Sequence, residues 1–138
     1  MDTIDRINIR LKSLKEYVVF LEKYQGIAAA VLEKDLEKRG FIGHYLHLSA
    51  EIVIDISNLL NAEYKFRPAQ DASESILILG EEGVIEKDFA KHFSKIAGFR
   101  NILIHEYLKI DYKIVADNLN KYLADFEKFA RQVAKYLT

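Results

Sequence analysis

The sequence predicts an all-α fold: an antiparallel, up-and-down helical bundle with four main helices and one or two short ones. Three observations carry this. Apolar residues recur at alternating spacings of three and four, the pattern of a single buried helical stripe. One proline and six glycines are spread over 138 residues, too few breakers for a loop-rich chain. No stretch keeps period-two alternation, and no Asn-Gly or Asp-Gly hairpin pair occurs.

The elements follow in order. Over residues 3–23, Ile4, Ile7, Leu11, Leu14, Val18 and Leu21 fall on one stripe, with Asp2 or Thr3 as N-cap. Gly26 interrupts this helix. Residues 27–38 read as a shorter helix, with Lys38, Arg39 and Gly40 as its basic last turn and glycine stop. Residues 41–61 are apolar over a wide arc (Leu46, Ile52, Val53, Ile56, Leu59, Leu60) and read as the central helix. Pro68 marks residues 62–72 as the main loop. Residues 73–80 read as a short helix closed by Gly80, followed by a turn over 81–85 that includes Gly83. Residues 86–106 read as one helix with Phe89, Phe93, Ile96, Phe99 and Leu103 inward. The LKID segment at 108–111 breaks it, and Asp111 caps a last helix over 112–137 that buries Val115, Leu119, Tyr122, Phe126, Phe129, Val133 and Leu137.

Composition narrows the function. The length suits a single domain spanning 1–138. The absence of cysteine excludes disulfides and thiolate metal sites, and makes a cytoplasmic location the simplest expectation. The N-terminus alternates charge with single apolar residues, unlike a signal peptide, and no apolar run approaches a membrane span. A formal net charge of −1 argues against coating nucleic acid by bulk charge, but leaves room for a local cluster that holds a few phosphates.

Phosphate-loop, nucleophile-elbow and zinc-protease motifs are missing, and no cofactor is implied. His44 and His47 share a helical face at a spacing that more often belongs to a solvated or interface pair than to a metal site. Glu51 and Asp55 stand four apart on an otherwise apolar helix. They either face solvent or a basic partner, or orient Arg100 or His105. Lys91, His92 and Lys95 read as a solvated face rather than a phosphate-binding strip.

The informative stretch is FRNILIHEYLKID, residues 99–111, which carries Arg100, Asn101, His105 and Tyr107. Arg-Asn, three residues, then His-x-Tyr resembles the HEPN signature in the form found in HepT proteins. The likeness extends to HLSAEIVIDISNLL (47–60), ASESILILGEEGVI (72–85) and DFAKHFSKIAGFRN (88–101). It implies a HEPN-like helical bundle that pairs into a homodimer through the motif helices, with two copies of the Arg/His pair lining one cleft. It also implies a metal-independent ribonuclease toxin. The implied partner is an MNT-type nucleotidyltransferase antitoxin that silences the toxin by transferring AMP to the motif tyrosine, here Tyr107. A second function is implied for similar proteins: a non-catalytic subunit that binds substrate or nucleotide for the nucleotidyltransferase.

The residue types suit the first of these. Cleaving RNA without a metal, to a 2′,3′-cyclic phosphate, needs a base, an acid and positive charge against the phosphorane. Histidine titrates near neutral pH, and the arginine fork binds two phosphate oxygens without deprotonating. Residues five apart on a helix are rotated by about 140°, so Arg100 and His105 cannot point the same way, whereas Asn101 and His105 can. A cleft shared by two chains removes that conflict. Each residue also has a plain structural reading: Arg100 paired with a nearby acid, His105 capping its helix, Tyr107 packed at the surface.

Overall fold

The computed structural model describes residues 1–138. It contains α1 (Thr3–Glu22), α2 (Ala29–Lys34), α3 (Leu36–Glu63), α4 (Ala72–Glu81), α5 (Lys87–Phe93), α6 (Ile96–His105), a 3₁₀ turn (Tyr107–Lys109) and α7 (Tyr112–Leu137). No strand is present, and no helix is long and apolar enough to cross a membrane.

Side-chain contacts fix the directions. On α3, Asp55 meets Arg10 of α1 (3.8 Å), while Phe41 meets Phe20 (ring centroids 6.2 Å), so α1 and α3 run antiparallel. Glu51 meets Arg100 of α6, and Arg39 sits over the Tyr112 ring beyond the end of α6, so α6 also opposes α3. Tyr112 at one end and the Tyr64–Tyr136 contact at the other set α7 parallel to α3. The four are the predicted up-and-down bundle. Its single core cluster takes Ile7, Leu14, Val18 and Leu21 from α1, and Leu119, Phe126, Phe129 and Val133 from α7.

Three expectations need correction. The second helix ends at Lys34, and Gly40 is no stop. Asp35 takes control there: its carboxylate accepts from the Lys38 amide (3.0 Å) and starts α3 at Leu36, so Lys38, Arg39 and Gly40 belong to the first turns of the central helix. Gly80 does not close α4 but lies buried inside it; Gly83, at φ +74°, makes the turn. A Cβ on Gly80 would lie 2.5 Å from the Ala90 Cβ, so the glycine permits α5 to cross α4.

The third correction is that the helix over 86–106 is broken in two. Ser94 is buried, and its hydroxyl donates to the Lys91 carbonyl (3.0 Å). Around it the backbone tightens to bonds three residues back, from the Lys95 amide to the His92 carbonyl and from the Ala97 amide to the Ser94 carbonyl. The break lets α5 lie on α4 while α6 lies on α3.

Where α3 meets α4, a chain of side-chain hydrogen bonds links the helices, although Asn61 Oδ1 is buried without a partner. The Asn61 amide donates to the Ser57 carbonyl (2.7 Å) and to the Ser75 hydroxyl (2.9 Å), which itself donates to Asn58 (2.7 Å). Arg67 ties the intervening loop to α4 through Glu74 and both oxygens of Glu81.

Candidate active site

Arg100 sits in the second turn of α6 with its side chain only 18% exposed. Its Nη1 donates to Glu51 Oε2 across the bundle (2.6 Å) and its Nε donates to Asn101 Oδ1 (2.9 Å). Two acceptors on different sides hold the guanidinium plane, and Nη2 has no partner within the chain. A fork held in this way retains a donor edge for an incoming oxyanion. Glu51 contacts Arg100, a pairing that fits both readings: a carboxylate met by a basic partner and a carboxylate that orients the motif arginine.

His47 stands one turn before Glu51 on α3, its Nε2 3.9 Å from the same carboxylate oxygen. The sequence offered a signal for this in the four-residue spacing to Glu51, but His47 reads there only as a companion of His44. His44 lies exposed against the Tyr45 ring, and no third metal-binding side chain joins the two histidines. Asp55 pairs with Arg10 on α1 instead of reaching Arg100 or His105. Partial burial is the largest influence on its carboxyl and the Glu51 charge adds to it. Together they hold its pKa above the ordinary aspartate value despite Arg10 and Arg100.

His105 is the last residue of α6, and its imidazole is exposed and makes no hydrogen bond within the chain. It lines a shallow depression of about 280 Å³ with Glu106, Tyr107, Leu108 and Lys109. Tyr107, in the 3₁₀ turn, is 65% exposed. Glu106 pairs with Lys109 (3.2 Å).

The structure therefore brings Arg100, Asn101, Glu51 and His47 together, and separately brings His105 beside Tyr107. It does not bring Arg100 and His105 together in one chain. Arg100 turns inward to α3 and His105 turns outward, as their spacing requires. On the outward side, Ile102 lies one turn before His105 and Leu108 lines the same depression; both are exposed. The basic strip over 91–95 is only partly a solvated face, because His92 Nε2 is bound to Asp125 Oδ2 (2.9 Å) while Lys91 and Lys95 remain exposed.

A family model described as Ribonuclease HepT-like matches residues 14–133. The chain belongs to this family. This HepT-like chain is 30% identical over 124 residues to a putative RNase of Archaeoglobus fulgidus, covering 86% of this chain and 92% of that protein. It is 26% identical over 131 residues to a tRNA nuclease HepT of Aphanizomenon flos-aquae, covering 95% of this chain and 89% of that one. It is also 30% identical over 84 residues to an mRNA nuclease HepT of Shewanella oneidensis, and there it spans 61% of its own length and 63% of the relative's. Its fold is that of a tri-AMPylated HEPN toxin of Shewanella oneidensis solved in complex with an MNT antitoxin, at TM-score 0.85, 23% identity, and coverage of 98% and 99% of the two chains. As a HepT-like protein it stands among ribonucleases.

Proposed function

We propose that the protein is the toxin of a toxin–antitoxin pair: a metal-independent endoribonuclease, one domain over 1–138, that acts as a cytoplasmic homodimer. The observation that carries this reading is the divided site. Arg100 is preset by Glu51 and Asn101 with one guanidinium nitrogen uncommitted, and His105 stands outward on the same helix, beside the exposed Leu108. A second copy packed against that outward face brings its own imidazole and guanidinium to the same cleft.

In this reading the Arg100 fork receives the scissile phosphate and stabilises charge that develops on its oxygens. His105 carries a proton. One imidazole takes it from the 2′-hydroxyl, that oxygen attacks phosphorus, and the 5′-oxygen leaves with a proton from an imidazolium. The product is a 2′,3′-cyclic phosphate. Glu51 and Asn101 position the arginine without touching substrate. Asp55, turned to Arg10, has no direct part.

Tyr107 is proposed as the AMPylation site. Its hydroxyl is accessible beside His105, so an added nucleotide would cover the imidazole and put negative charge where the RNA phosphate must sit. The relative captured in AMPylated form with an MNT antitoxin supports a nucleotidyltransferase partner of that kind.

The test is cleavage by His105→Ala. Loss of cleavage with the helical dimer intact is expected, and cleavage retained by pure His105→Ala protein refutes the assignment. The non-catalytic reading draws on the separation of Arg100 from His105 within one chain. It predicts a stable complex with the nucleotidyltransferase and no RNA cleavage by the wild type.

A further inference from the structure

A second cluster of functional side chains lies outside this site, on the seam where α5 and α6 face α7. His92 and Asp125 form a 2.9 Å pair across the seam. Asp125 is well covered, at 19% side-chain exposure, while His92 is 43% exposed. The carboxylate thus fixes the ring through Nε2 and leaves Nδ1 without a partner. The Phe99 and Tyr122 rings stack beside the pair, with centroids 5.1 Å apart. These four residues and Lys95 line a pocket of about 220 Å³.

The chemistry of this pocket is specific. An oriented imidazole and a lysine ammonium border an aromatic wall, the combination that holds a nucleic-acid strand by phosphate and base face together. Its volume lies below the roughly 300–1,000 Å³ of pockets that enclose a whole small molecule. It therefore fits one base or phosphate of a longer ligand.

Position supplies the link to the candidate active site. Lys95 precedes His105 by ten residues along α6, an axial distance of about 15 Å. A single strand laid along the helix from one to the other passes through several phosphates. We propose that the His92–Asp125–Lys95 pocket is a subsite for single-stranded RNA, which grips a phosphate and stacks a base of the strand several nucleotides from the cut. This rests on the ribonuclease reading above. Asp125 acts as a positioning residue through His92, with no contact to RNA.

The experiment compares wild type, His92→Ala and Lys95→Ala by fluorescence anisotropy on a labelled single-stranded RNA whose riboses are all 2′-O-methylated, so that it cannot be cut. Cleavage of the unmodified strand is followed in parallel. Each substitution is expected to weaken binding by about fivefold or more, and Lys95→Ala also to flatten the logarithmic salt dependence by about 0.7, the loss of one charged phosphate contact on a single strand. The KM for cleavage is expected to rise in step. Unchanged binding and salt slope in both variants, with a wild type that cleaves, overturn the subsite and leave the ribonuclease reading standing. A wild type that neither binds nor cleaves RNA removes both. Weakened association with the nucleotidyltransferase alongside unchanged RNA binding overturns the subsite in favour of a protein-docking surface.

Discussion

Gly80→Ala tests the packing that sends the chain towards the site. The new Cβ would lie 2.5 Å from the Ala90 Cβ and 3.3 Å from the Lys87 Cα. Neither neighbour can rotate away, since one is a rigid methyl and the other is backbone. Relief requires α5 to move off α4. Overpacking of this kind costs about 1–3 kcal/mol, while replacing a mid-helix glycine by alanine returns roughly 0.5–1 kcal/mol. The net expectation is a destabilisation centred near about 1 kcal/mol, within a range of about 0–2.5 kcal/mol. For a chain of this length, about 1 kcal/mol lowers the thermal midpoint by roughly 3–6 °C. Urea unfolding followed by helical circular dichroism measures it directly. The double variant Gly80→Ala/Ala90→Gly removes the opposing methyl and is expected to regain the overpacking part, less the roughly 1 kcal/mol of a new helix glycine. A Gly80→Ala protein as stable as the wild type, or more so, refutes the close-crossing account.

Further outcomes follow from the site. Glu51→Gln keeps the shape but removes the charge that holds Arg100. With Glu51 37% exposed, stability is expected to change little, while kcat/KM for RNA cleavage drops about tenfold, the equivalent of about 1.4 kcal/mol; an unaltered rate removes its positioning role. Asp55→Asn probes a carboxyl whose folded pKa is raised, chiefly by burial. Such a group favours folding when protonated, so its contribution is present below the unfolded value and is lost as pH rises through the folded one. The variant is therefore expected to melt at the same temperature as wild type or higher at neutral pH, with the difference shrinking towards about pH 4. A clear loss of stability at neutral pH would instead mean that attraction to Arg10 outweighs the cost of burying the carboxylate. Tyr107→Phe keeps the ring and removes the hydroxyl. Intact mass after co-expression with the nucleotidyltransferase is expected to show AMP on the wild type and none on the variant; AMP still present on the variant relocates the modification.

The parts legible in the sequence are those set by local pattern. α1 and α7 carry unbroken stripes, and the residues expected inward on both are buried or packed on the core. Asp2 and Asp111 cap as expected, accepting from Asp5 (2.8 Å) and Lys113 (2.9 Å). Glycine was the ambiguous letter. Gly40 and Gly80 both look like helix stops, yet the first lies exposed in the early turns of α3, which the Asp35 cap starts before it, and the second permits a helix crossing that only its neighbour Ala90 reveals. The break at Ser94 has neither glycine nor proline to announce it. Glu51 and Asp55 were indistinguishable as supports for the motif. One turn of α3 decides that the first reaches α6 and the second reaches α1, a matter of register between helices far apart in sequence.

The same register explains why one chain holds a divided site. α6 must bury Ile96 and Ala97 against the bundle, and this turns Arg100 inward to Glu51. Five residues on, the rotation of about 140° leaves His105 pointing to solvent. Turning Arg100 away from α3 would break its bonds to Glu51 and Asn101. Ile102, one turn before His105, and Leu108, which lines the same depression as His105 and is 88% exposed, lie on the outward side, a grouping that favours an interface over plain hydration. An isologous partner covers the apolar surface and delivers a second copy of each group from the opposite side. In that arrangement the divergence of Arg100 and His105 within a chain lets the two sets meet across one cleft, and catalysis becomes conditional on pairing.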